Sequence, residues 1–313
     1  MRLVIAMLVV SVGCGDDAPS SGSSRRLPPP TSVPPLSKPK PVDLALAPGL
    51  EMRHPIRDGR LAIVPIVATG DGVATEHYLT LADGLARHQV TVREIGHGDR
   101  FEVDQVRVRN RSTRPLFVMT GEMIVDGMQD RVLAEDRVIP PGTSMRVHVR
   151  CVELGREAGH LAFHSRATLA ELAIRQAVIH QTQNEVWAKV DQINARHDLH
   201  PASKTYREIA ELQQSPATIE RRDRLARQLA ALPDRRALVG LASVIDGQVV
   251  SIERFATPEL YGALESELLG SYIASTDVPP HEGRTFLPDD VRALAAKPGN
   301  RVTPAAFTAV ASP

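Results

Sequence analysis

The rhythm of apolar and polar residues changes near the middle of this chain. Residues 60–68, "RLAIVPIVA", form a nearly continuous apolar run of the length and β-branched content of a buried strand. "YLTLADGLARHQ" (78–89) follows with helical spacing at Leu79, Leu81, Ala82 and Leu85. "VTVREI" and "DQVRVRNRS" then alternate at period two, the mark of half-buried strands. Residues 114–154 continue the alternation and predict two hairpins, turning at Asp126-Gly127 and at Pro140-Pro141-Gly142-Thr143. Past residue 166 the period becomes helical. Residues 166–196 contain no Gly or Pro and carry an apolar stripe through Leu169, Ala173, Ala177 and Ile193, and a second helix is predicted over 204–231. "ALVGLASVIDGQVVSIERF" reads as two strands around Asp246-Gly247, followed by a helix in "PELYGALESELLGSYIAST".

Strands, then a helical pair, then strand-strand-helix predict an α+β fold. A mainly antiparallel sheet from the N-terminal half packs with a long helical pair and a terminal strand-strand-helix unit. The domain spans residues 43–277. Residues 278–313 mix Pro and Gly throughout and read as a loosely ordered tail with one short helix at 288–296.

The N-terminal end has a different character. Arg2 precedes a ten-residue apolar run (3–12), which has the length of a secretory h-region and is too short to span a bilayer. Gly13-Cys14 follows, a small residue before a cysteine. This resembles the lipobox of bacterial lipoproteins, with Ser11 where Leu is usual, and predicts a signal peptide over 1–13 and lipidation of Cys14. Residues 15–42 hold eight of the chain's 24 prolines and predict an extended tether. The expected partner is therefore a membrane, reached through Cys14, and the expected address is the cell envelope. With Cys14 acylated, Cys151 would be a lone thiol.

Composition narrows the classes. The 313 residues contain 37 Lys plus Arg against 37 Asp plus Glu, so no basic excess points to nucleic acid. Apolar residues make up 42% and aromatic residues 4%, which predicts an aliphatic core. "ERRDRLAR" is a solvated helix face, and no Walker loop, G-x-G-x-x-G or G-x-S-x-G occurs.

The chemistry concentrates in "GEMIVDGMQDRVL" (121–133). A two-residue turn at Asp126-Gly127 would set Glu122 opposite Arg131 and gather Glu122, Gln129 and Arg131 on one face, with Asp130 as a polar exception on the apolar side. In "SMRVHVRCVELGR" the row Met145, Val147, Val149 and Cys151 faces the core while Arg146, His148 and Arg150 face away. Glu153 continues the core row, where a carboxylate must be paired, protonated or set at a pocket mouth, and Arg156 is the nearby candidate partner.

These motifs, with "QNEVW" in the first helix, resemble the bacterial ARG-and-rhodanese-phosphatase-superfamily-associated protein domain over about residues 61–277. The matching positions are Gly121 and Glu122; Gly127, Gln129 and Arg131; Cys151, Val152, Glu153 and Arg156; and Gln183, Val186 and Trp187. Glu157 stands where a Trp is frequent, and Asp130 where an Asn is. The resemblance implies a context of ADP-ribosylglycohydrolases and rhodanese-phosphatases, and so ADP-ribose or NAD-related chemistry.

Three readings follow. In the first, Glu122 and Glu153 act as catalytic carboxylates while Gln129, Arg131, Arg156 and Gln183 bind a small phosphate-bearing ligand. In the second, the same residues lock the sheet in a non-catalytic envelope module. The third, metal or thiol chemistry at Cys151, Glu153, His160 and His164, lacks a ligand motif, and an apolar strand position would raise the thiol pKa. Neither a metal nor a cofactor is assigned. Trp187, beside Val186 and Val190, reads as core.

Overall fold

The structure, a computed structural model, describes residues 49–69, 76–97, 100–155 and 159–277, all within the compact unit Pro39–Pro313. The signal segment, Cys14, the tether, Arg156, Glu157 and the C-terminal tail with its short helix lie outside the described residues.

Strands β1 (Leu50–Met52), β2 (Ile56–Asp58) and β3 (Leu61–Ala68) come first. Then follow β4 (Leu79–Thr80), helix α1 (Leu81–Ala86), β5 (Val90–His97) and β6 (Arg100–Asn110). Strands β7 (Leu116–Val118), β8 (Glu122–Val125), β9 (Arg131–Leu133), β10 (Arg137–Ile139), β11 (Ser144–Cys151) and β12 (Ala162–Leu169) complete the first half. The second half holds α2 (Leu172–His180), α3 (Gln183–Arg196), α4 (Arg207–Leu212), α5 (Pro216–Ala230), β13 (Leu238–Ile245), β14 (Gln248–Arg254) and α6 (Pro258–Ala274). The class is α+β, as the pattern of periods implies.

The antiparallel strands do not form one sheet. Six of them close into a barrel in the order β11-β6-β5-β12-β8-β9. A second sheet runs β1-β3-β13-β14 with β2 also on β3, and a third runs β10-β7-β4. Three hydrophobic clusters follow this division. One fills the barrel with Val92, Val106, Val108, Ile124, Val147, Val149 and Phe163. Another lies between the five-stranded sheet and helices α5 and α6. The last joins Met123, Val125 and Val132 of β8 and β9 to α2, α3 and α4.

Three expectations need correction. The turn at residues 140–143 is no hairpin, because β10 pairs with β7 while β11 pairs with β6 and β9. Buried Asn110 helps divert the chain there, donating through Nδ2 to the Ile139 and Arg114 carbonyls at 3.0 and 2.8 Å. The stretch 166–196 is not one helix either. Its first residues belong to β12, and the rest breaks where Thr182 and Glu185 form a capping box that starts α3 afresh. The stretch 204–231 divides likewise, since Ser215 caps α5 and Pro216 occupies its first turn. The Asp246-Gly247 hairpin is as expected, with φ of 52° and 80° at its two turn residues and Ile245 opposite Gln248.

Candidate functional site

The β8–β9 hairpin carries most of the candidate residues, and its register lies two positions from the tight-turn expectation. Ile124 stands opposite Arg131 and Met123 opposite Val132, so Glu122 does not face Arg131. The loop is wider because its own side chains hold it open. The Asp130 carboxylate accepts the Asp126 N–H at 3.2 Å, and Asp126 sits at φ 71°. Gly127 packs so closely on Phe163 that an added Cβ would fall 2.1 Å from the ring.

A shift of two preserves which side of the strand each residue faces, so Arg131 points into the barrel with Ile124. Its side chain is 2% exposed and that of its partner Glu94, on β5, is 0% exposed. Arg131 Nη2 reaches both Glu94 oxygens, at 2.8 and 3.1 Å, while Nη1 donates to the Val103 carbonyl at 2.7 Å and the Glu102 carbonyl at 3.2 Å. The guanidinium also lies 5.7 Å from the centre of the Phe163 ring. Burial pushes the Glu94 carboxyl up, and the adjoining Arg131 charge and the Met128 N–H pull against that.

Around this pair runs a second network. Asp130, wholly buried, receives Arg207 from α4 through Nε at 2.7 Å and Nη2 at 2.6 Å, and Arg207 also reaches Asp126. Hydrogen bonding to Asp130 holds the Arg207 guanidinium above its usual range. Buried Glu153 accepts the Asp130 N–H at 2.9 Å. Gln183, the first residue of α3, pairs with the last residue of β11 as a strand would: it accepts Cys151 N–H at 3.0 Å and donates to Cys151 O at 2.7 Å. Cys151 is buried, and burial raises its thiol pKa, so a reactive thiolate is not favoured there.

Glu122 belongs elsewhere. Its Oε2 accepts the Met119 N–H at 2.7 Å, and the charges acting on it come from Glu267 on α6 and from Asp136. Asp136 in turn accepts the Thr120 N–H at 2.7 Å. Close by, Arg175 of α2 and Glu253 of β14 form an ion pair with both side chains 0% exposed, and Tyr272 donates to the same carboxylate. Gly121, at φ +97°, makes room for Arg175, whose Cγ would lie 2.5 Å from an added Cβ. Burial is the first cause of every shift here. It holds Glu122 well above the ordinary carboxylate range, Asp136 at about 6 and Glu267 at about 7. Glu171, just ahead of α2, is also raised to about 7, and neither of its oxygens finds a hydrogen-bond partner among the described residues.

Arg131, Glu153 and Gln183 therefore come together through residues 130, 131 and 151, with half-buried Gln129 in the connecting loop. Glu122 sits in a separate carboxylate cluster. His160 and His164 lie before and within a strand, not one turn apart on a helix, and no metal-holding group of three such side chains occurs among the described residues. Trp187 is half-buried instead of core, its indole N–H enclosed with no partner among the described residues. The strongest missed residue is Glu94. It ends the inward row Val90, Val92, Glu94, the same signal that singled out Glu153. Arg207 and Asp136 carry no such sign, because helix packing and a loop bring them in.

Against known families, one model, the ARG and Rhodanese-Phosphatase-superfamily-associated Protein domain (ARPP-1), matches residues 49–297. Neither the curated proteins nor the solved structures give a match.

Proposed function

The chain belongs to that family, and from this premise we propose that it is a non-catalytic envelope module, tethered through lipidated Cys14, in which the Glu/Gln/Arg cluster locks the barrel. The observation that carries this reading is the burial of Arg131. A guanidinium that grips a phosphate needs free N–H groups facing an opening. Arg131 is 2% exposed and spends both Nη groups on Glu94 and on two β6 carbonyls. Glu153 and Gln183 are likewise bound to backbone groups, those of Asp130 and Cys151. The carboxylate cluster around Glu122 is no better suited to phosphate, since it offers only acids and a buried Arg175 that is 0% exposed and already paired with Glu253.

The rival reading, in which Glu122 and Glu153 process an ADP-ribose- or NAD-related ligand, makes the opposite prediction. Calorimetric titration of the whole chain with ADP-ribose, NAD and inorganic phosphate should give no saturable heat, while Arg131→Ala lowers the melting temperature. Saturable heat that disappears in Glu153→Ala with melting temperature retained would overturn the proposal. The anchor is tested separately by radiolabelled palmitate in the bacterial host, which should label the parent and not Cys14→Ser.

A further inference from the structure

The outer wall of three barrel strands carries a row of like charges. Arg93 on β5 stands opposite Arg107 on β6, and Arg107 stands opposite Arg146 on β11. Opposed residues of antiparallel strands share a face with Cβ atoms about 4.5–5.5 Å apart, so three guanidiniums start within roughly 10 Å of one another. Arg109 continues the same face two residues along β6, and Arg111 extends the period past the strand's end. All five are exposed. The alternate residues Val92, Val106, Val108 and Val147 are buried in the barrel, which fixes the arginines outward.

Carboxylates do not answer this row. Arg146 reaches Glu102 at 2.7 Å, but among the described residues no ion pair reaches Arg93, Arg107, Arg109 or Arg111. The whole chain has a formal net charge of zero, so the excess is local to this wall. Like charges set directly opposite in a sheet weaken it, and a stability device would place Glu or Asp across from arginine. The row therefore needs a reason outside the fold.

We propose that this wall is a docking surface for the anionic headgroups of a phospholipid membrane. The charges are spread over the outside of a barrel and are not gathered in a groove, which suits laterally mobile headgroups that can each find a guanidinium. Around them stand Thr91, Gln105, Ser144 and His148, with no Phe, Tyr or Trp among them of the kind that single-stranded nucleic acid stacks upon. The choice of a lipid surface over other anions rests on the anchor reading above, which keeps the domain within tether length of a bilayer. Docking through several weak charge contacts then becomes effectively intramolecular.

The test uses the whole chain carrying Cys14→Ser, so that no acyl group is attached, and sediments it with phosphatidylglycerol-containing or pure phosphatidylcholine vesicles. The leader is common to every sample, so only the contrast between vesicle types is read. The parent should prefer the anionic vesicles by roughly 600-fold, from the four arginines, at about fivefold each, that no carboxylate pairs among the described residues, and lose that preference in about 1 M salt, where charges are screened within about 3 Å. The combined variant Arg93→Gln, Arg107→Gln and Arg109→Gln should keep only about the fivefold preference that Arg111 supplies, with a melting temperature equal to or above the parent's. Arg107→Lys should behave as the parent. An unchanged preference in the triple variant would overturn the proposal, and so would a lowered melting temperature or tight binding to duplex DNA with no vesicle preference. Failure of palmitate labelling would leave this contrast untouched, so the two readings fail independently.

Discussion

Replacing Arg131 by Met removes a buried charge and leaves its partner behind with little change in volume. Glu94 would then stand with a side chain 0% exposed and only the Met128 N–H to satisfy it. Breaking a buried ion pair at one end costs about 3–5 kcal/mol, because the stranded charge must be neutralised or hydrated. The contact with the Phe163 ring adds to the loss. For a domain of this size each kcal/mol moves the melting temperature by about 2–4 °C, which predicts a fall of roughly 6–20 °C. Adding Glu94→Gln should restore most of it, since an uncharged pair of similar shape is often neutral against a buried salt bridge. The assay is urea unfolding of the parent, both single variants and the double variant at pH 7.5, with a coupling of at least about 2 kcal/mol expected. Acid should also rescue the single variant. Without Arg131 only the Met128 N–H opposes, among the described residues, the upward push of burial on Glu94, so the folded state gains a proton and the deficit shrinks as pH falls. Single-variant losses that simply add, or an Arg131→Met cost below about 1 kcal/mol, would refute the claim that this pair locks the barrel.

The raised carboxyls predict the pH profile of the domain. Glu122, Asp136, Glu171 and Glu267 hold protons in the fold that the unfolded chain releases near its ordinary values of 3.8 to 4.5. Their contribution is fully present below those values and is lost as pH rises through 6 and 7, so melting temperature should be higher at pH 5 than at pH 8. Glu122→Gln, which imitates the protonated acid and can still accept the Met119 N–H, should flatten that difference, and a profile that instead rises from pH 5 to 8 would contradict it. Gln183→Ala leaves Cys151 N–H and C=O without their partner and should cost about 1–3 kcal/mol in urea unfolding, with faster amide exchange at residue 151. Gly121→Ala must displace Arg175 and adopt φ +97°, a strain of about 1–3 kcal/mol that thermal melting would detect.

Local rules carried the strands and their outward and inward residues a long way. Alternation on β11 separated Val147, Val149 and Cys151 from Arg146 and His148 as the structure does. The Asp246-Gly247 turn needed only two residues that accept positive φ. What failed depends on partners distant in the chain. A polar face on the β8–β9 hairpin looked like a solvated or ligand-facing surface because nothing local says that both faces are covered, one by the barrel core and the other by α2–α4. The hairpin register slipped by two because Arg207, 77 residues from Asp130, helps brace the loop. Barrel closure depends on β12 joining β5 to β8, and the second half of β12, residues 166–169, lay inside what periodicity assigned to the start of a helix. The arginine row was visible as alternation, yet its direct cross-strand alignment exists only once the β5–β6–β11 registers are known.

Strand β14 closes its sheet on one side, pairing with β13 and with no other strand among the described residues. An open row of peptide groups is an invitation to neighbouring molecules. Glu253 answers that hazard from within. Sliding β14 by a single position would tear its charge away from Arg175 and Tyr272 and push it out through the apolar layer. A buried ion pair that adds little to net stability can thus keep neighbouring copies from polymerising by this edge.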